Sequence, residues 1–228
     1  MNARKQPAGM NKLTESRIGG LSMVIGTLLF LITVFLEYRI GWISEEGGPD
    51  NVYDFIKSHW PELRNIWTWQ MVSGILLLLS YILFLKESKG IKSALWALLM
   101  VGNIFSTAAF FLTLGSYGPA LEVHEASPEI FESIRGGIAS LYRNITIGPL
   151  LFMLLFCQET FGKSGLIRKT WGIAALSGFA VLLAVGLAAG ISEKISGLSY
   201  FILPLVFGFC AIKKGKALPN ADTEAEKP

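Results

Sequence analysis

The sequence predicts an all-α polytopic membrane bundle of six transmembrane helices, and three observations predict it. Six apolar windows, at about residues 18–37, 66–85, 93–115, 139–158, 170–190 and 197–213, approach the ~20 residues that cross a bilayer at ~1.5 Å rise. With the N-terminus inside, the inner segments hold fourteen of the 20 basic residues and six of the 17 acidic ones, a net of +8 against −5 outside. Amphipathic rings cluster at the outer window ends, Trp42, Trp60, Trp67, Trp69, Tyr117, Tyr142 and Tyr200, while Trp96 and Trp171 open windows three and five from inside. A mean hydropathy of +0.50 with 52% hydrophobic residues leaves too little amphipathic chain to cover such helices in water. Both termini are therefore expected in the cytoplasm.

Taken in order, residues 1–16 form a basic cytoplasmic segment, residues 17–217 the transmembrane domain and residues 218–228 a polar tail without aromatics, expected to be disordered. The first window is too long for a signal-peptide core and no small-residue cleavage pattern follows before Glu37, so it reads as retained. Between windows one and two, Gly47-Gly48-Pro49-Asp50 forms a turn with Asp50 as N-cap. Val52, Phe55, Ile56, His59 and Leu63 then give one apolar face of a short outer helix. A second outer helix begins after window three, with Ser127 as cap, Pro128 at its first position and Gly136-Gly137 at its end. Pro149 and Pro204 interrupt windows four and six as helix kinks, freeing the carbonyls of Ile145 and Tyr200.

Ionisable groups are costly within lipid, which singles out Arg143, about five residues into window four. It is a candidate for holding an anionic group or for pairing with Glu37 at the outer end of window one. Asn144 lies beside it, and Asn103 and Gln70 are polar positions of windows three and two. These four are expected to line one cavity between spans two, three and four, with Glu37 nearby. The small residues Gly102, Ser106, Ala109 and Thr113 in window three, and Ala180, Ala184, Gly186, Ala188 and Gly190 in window five, suit close helix packing.

Several chemistries have no support. The windows contain no histidine, which removes bis-histidine haem and histidine-box oxygenase readings, and His59 and His124 lack tight metal-ligand spacing. Gly162-Lys163-Ser164-Gly165 has no base beside it, no Walker A pattern is present, and Asn144-Ile145-Thr146 lies too near lipid to serve as a glycosylation acceptor. Cys157 and Cys210 sit near the inner ends of their windows, where a reducing cytosol keeps thiols free. No cofactor, metal or enzymatic activity is expected, and the pI of 8.8 reflects inner lysines facing anionic lipid rather than nucleic acid.

The inner stretch Lys163-Ser164-Gly165-Leu166-Ile167-Arg168-Lys169-Thr170-Trp171-Gly172, with Arg17-Ile18-Gly19-Gly20 and Lys213-Lys214-Gly215, resembles a bacterial family of six-span proteins, the DUF4386 type. Arg168 stands where that family's junction carries proline. The resemblance implies a bacterial inner-membrane setting and brings no activity. The function expected is binding or transport of a small anionic or lipid-like molecule through an outward cavity near Arg143. The alternative is a structural or regulatory subunit, or a homo-oligomer, docking through its small-residue face.

Overall fold

The computed structural model describes residues 8–43, 51–143, 147–162, 165–190 and 197–214, and among these there is no strand. The helices are α1 (Ala8–Arg39), α2 (Val52–Glu87), α3 (Ile91–Val123), α4 (Pro128–Arg143), α5 (Gly148–Phe161), α6 (Lys169–Ala188) and, after a 3-10 turn (Gly197–Phe201), α7 (Ile202–Lys214). Among the described residues, five segments are long and apolar enough to cross a membrane: 15–39, 52–87, 91–123, 169–188 and 197–214. The expected fourth span, residues 139–158, takes in the last described residues of α4 and most of α5, with residues 144–146 outside the described residues, and the 14 residues of α5 rise ~21 Å against a hydrocarbon core of ~30 Å.

The outer helices also differ from expectation. The first is the head of α2, which continues through residue 63 into the second apolar window as one 36-residue helix, about 54 Å long. It is capped by Asn51, whose side chain accepts from the Asp54 amide at 3.2 Å; Asp50 and the turn before it lie outside the described residues. Pro61 bends rather than ends this helix, because its ring displaces the carbonyl four residues earlier and supplies no N–H. The backbone leaves helical angles at His59, with φ −113° and ψ 17°. The second begins at Pro128 as expected but runs through Gly136-Gly137 to Arg143. Buried Phe131 and Ile138 hold it against α3, and this packing outweighs the helix-weakening effect of two glycines.

Pro149, expected as a kink, occupies the first turn of α5 among the described residues, where an amide proton would have no intrahelical partner. Pro204 likewise falls in the first turn of α7, just after the 3-10 turn, so the change of helix type takes the place of a bend in a continuous span.

Two apolar cores stack along the bundle. At the basic end Trp96 is fully buried, stacked on Phe84 at 5.1 Å and edge-on to Phe207 at 5.4 Å, so it is a core residue rather than a boundary ring. Trp171 remains exposed at that end. Glu159 of α5 ties it together, accepting from Lys92 Nζ at 2.7 Å and from the Leu166 amide at 2.7 Å, which fixes the turn leading into α6. At the opposite end the head of α2, the C-terminal part of α3 and α4 enclose Ile56, Leu63, Trp67, Tyr117 and Phe131.

Polar side chains set the helix register. Ser73 on α2 donates to the Gly26 carbonyl of α1 at 2.8 Å, and Asn103 on α3 donates to the Gly74 carbonyl of α2 at 2.7 Å. The α1–α7 crossing is closer still. A side chain at Gly20 would meet the Gly208 carbonyl at 2.7 Å, and one at Gly208 would meet that of Gly20 at 2.8 Å. Gly208→Val therefore overpacks two backbones and costs roughly 1–3 kcal/mol, read as a lowered thermal midpoint of the purified protein in detergent.

Candidate functional site

The cavity that holds Glu37 and Gln70 lies at the end opposite the basic connectors, between α1, α2, α3 and α4, with a volume of about 920 Å³. It exists because α1 packs on α2 and α7 while α4 packs on α3, and α1 and α4 make only marginal contact with each other. The gap between them is flanked by the exposed rings of Phe35 and Tyr38 on α1 and Tyr142 on α4.

Glu37 is the acidic group in this cavity and is only 5% exposed. Trp67 Nε1 donates to its Oε1 at 2.8 Å, and the Gln70 side chain hydrogen-bonds the same carboxyl group. Both donors sit on one face of α2, three residues apart, so a single helix face presents an indole and an amide to α1. The Glu37 carbonyl in turn accepts from the Trp42 amide at 2.9 Å, which folds the chain after α1 back over the carboxyl and seats the Trp42 ring 5.6 Å from that of Trp67. Around this group the walls are mainly aromatic and aliphatic. Ser106 and Thr113 add hydroxyls from α3, but the Thr113 hydroxyl proton is committed to the Ala109 carbonyl at 2.8 Å, leaving its oxygen as an acceptor.

The expected site residues part company here. Gln70 and Glu37 are buried in the cavity wall. Asn103 is not part of it, since its amide is spent on the Gly74 carbonyl and joins α3 to α2. Arg143 is the last described residue of α4, and its side chain, like the whole of Asn144, lies outside the described residues. Glu37 thus pairs with an indole and an amide among the described residues, where the sequence suggested a guanidinium. Trp67, read from the sequence as a boundary ring, is a buried donor. The available signal was its i,i+3 spacing to Gln70 on a face opposite the one intramembrane acid of window one.

His59 and His124 are held in aromatic stacks, on Phe55 at 4.4 Å and on Tyr53 at 3.4 Å between ring centroids. Among the described residues no group of three or more histidine, cysteine or acidic side chains is placed to hold a metal ion.

The division between cavity and framework is testable. Trp67→Phe leaves a buried carboxyl short of a donor and costs about 1–3 kcal/mol; Asn103→Ala costs about 0.5–2 kcal/mol by loosening α3 from α2. Only the first alters quenching of the cavity tryptophans by added amphiphiles, measured by fluorescence on the folded variants. No protein-family model, curated protein or solved structure matches the chain, so the functional reading rests on this geometry.

Proposed function

We propose that this chain is an integral membrane protein that binds, and through that binding carries, a lipophilic organic cation in the cavity around Glu37. The single observation that carries the reading is a carboxyl group buried among aromatic rings. An ionised carboxylate in such surroundings is stabilised by a cationic partner, and ring faces attract ammonium groups. The gap between α1 and α4 is flanked by the exposed rings of Phe35, Tyr38 and Tyr142, which suits a ligand arriving from the lipid rather than from water. This reverses the charge expected from the sequence. The Arg143 side chain lies outside the described residues, and a lipid-like ligand fits the apolar walls.

In this reading both termini face the cytoplasm, because the basic connectors carrying Lys86, Lys92, Arg168 and Lys213 all meet at one end of the bundle. The Glu37 cavity then opens in the outer half of the membrane. A sixth crossing is assembled from the end of α4 and from α5. The resemblance to the DUF4386-type family gives the bacterial inner membrane as the setting.

Dodecylamine and dodecyl sulfate separate the charge assignments. Titrated below their micellar concentrations into the protein held in a neutral detergent, the amine is expected to quench the Trp42 and Trp67 fluorescence at about tenfold lower concentration than the sulfate, a difference of ~1.4 kcal/mol. Glu37→Gln is expected to abolish the preference. Stronger binding of the sulfate, lost in Arg143→Gln, would replace Glu37 by Arg143 as the anchor.

A second reading has its own observation. Ala180, Ala184 and Ala188 form an exposed stripe on α6 that none of the described residues covers, flanked by exposed Val181 and Val185. Small residues at this spacing let a second helix approach closely, so α6 docks a partner subunit or another copy. With Cys157 and Cys210 replaced by serine, an Ala184→Cys variant then forms a disulfide-linked dimer in native membranes, and a monomer under oxidising conditions excludes self-association through this face.

A further inference from the structure

We propose that the groove between the basic ends of α6 and α7 is a binding site for an anionic glycerophospholipid, distinct from the Glu37 cavity and independent of it. The groove has a volume of about 710 Å³ and is lined from α7 by Val206, Phe209, Cys210 and Lys213. These positions fall at i, i+3, i+4 and i+7, so one face of α7 offers about 10 Å of apolar track that ends in an ammonium. Across it stands Trp171 of α6, 57% exposed, with Lys213 Nζ 5.7 Å from its ring centroid. Arg168 and Lys214 complete the basic end, and no carboxylate lines the groove among the described residues.

The separation of apolar track from cationic rim identifies the occupant. An acyl chain covers Val206 and Phe209, which the protein leaves accessible, and a phosphate lies within reach of three cations at the depth where headgroups sit. A zwitterionic headgroup would bring a second positive charge to this rim and lose most of the advantage. The arginine supplies a planar fork matched to phosphate oxygens, and the two lysines add point charge. The first turn of α6, which has no side-chain cap at Arg168, adds the partial positive charge of its free amides to the same end.

The test uses the full chain purified in a neutral maltoside detergent, with phosphatidylglycerol and phosphatidylcholine of identical acyl chains. Native mass spectrometry is expected to retain phosphatidylglycerol adducts at about tenfold lower lipid concentration than phosphatidylcholine adducts, and the thermal midpoint is expected to rise only with the former. The R168Q/K213Q/K214Q variant loses the preference, while K57Q/R135Q, at the opposite end, keeps it. V206W fills the track with all three cations intact and also loses the adduct, which separates a seated lipid from simple charge attraction. Equal retention of the two lipids, persistence of the preference in the triple variant, or full stabilisation by glycerol 3-phosphate alone would each overturn the proposal. Glu37→Gln leaves phosphatidylglycerol retention unchanged, so failure here and failure of the cation site are read separately.

Discussion

Three buried or half-buried polar side chains, Ser73, Trp67 and Asn103, find their hydrogen-bond partners on a neighbouring helix rather than on their own, and that constraint sets the register of α1, α2 and α3. Ser73 reaches the Gly26 carbonyl, Trp67 reaches Glu37, and Asn103 reaches the Gly74 carbonyl. All three bonds involve α2, which acts as the spine between the other two helices. A slip of one residue along α2 would turn the Trp67 indole away from α1 and leave the Glu37 carboxyl without its donor, a loss larger than any single apolar contact supplies.

The cavity is a consequence of that register together with helix length. The second and third helices, about 54 and 50 Å long, exceed the ~30 Å hydrocarbon thickness, and their surplus rises past one end of the bundle. There α4 folds back against α3 through Phe131 and Ile138, while α1 is held on the other side of α2 and by its glycine crossing with α7. Helices pinned to different partners cannot also close on each other. The space left between α1 and α4 therefore persists, with Glu37 on its wall.

The two ends differ in chemistry for the same structural reason. At the basic end, Glu159 anchors Lys92 and the Leu166 turn, so one acid is consumed in holding α3, α5 and the approach to α6 together. The lysines and arginine on α6 and α7 beyond it face a groove with no acid of its own. In the cavity at the opposite end Glu37 is held by the neutral donors Trp67 and Gln70. Among the described residues Glu159 is thus paired with a cation and Glu37 with neutral groups, and the difference lies in which partners the helix packing brings to each.

Sequence alone determined that the chain is helical and apolar, where its long hydrophobic helices run, and which connectors are basic, because hydropathy, helical spacing and charge are local properties of the residues. It also marked Glu37 and Gln70, since polar groups in apolar windows are few. It did not reveal that the first outer helix is continuous with the second apolar window in α2, because hydropathy places that window from about residue 66 and does not show whether the backbone before it runs on unbroken. Nor did it separate Asn103 from the cavity or turn Trp67 and Trp96 from boundary rings into buried ones. Those assignments depend on the rotation of each helix about its own axis and on which neighbour it meets. Only the tertiary structure decided them, because the partners are brought together by packing between helices far apart in the chain.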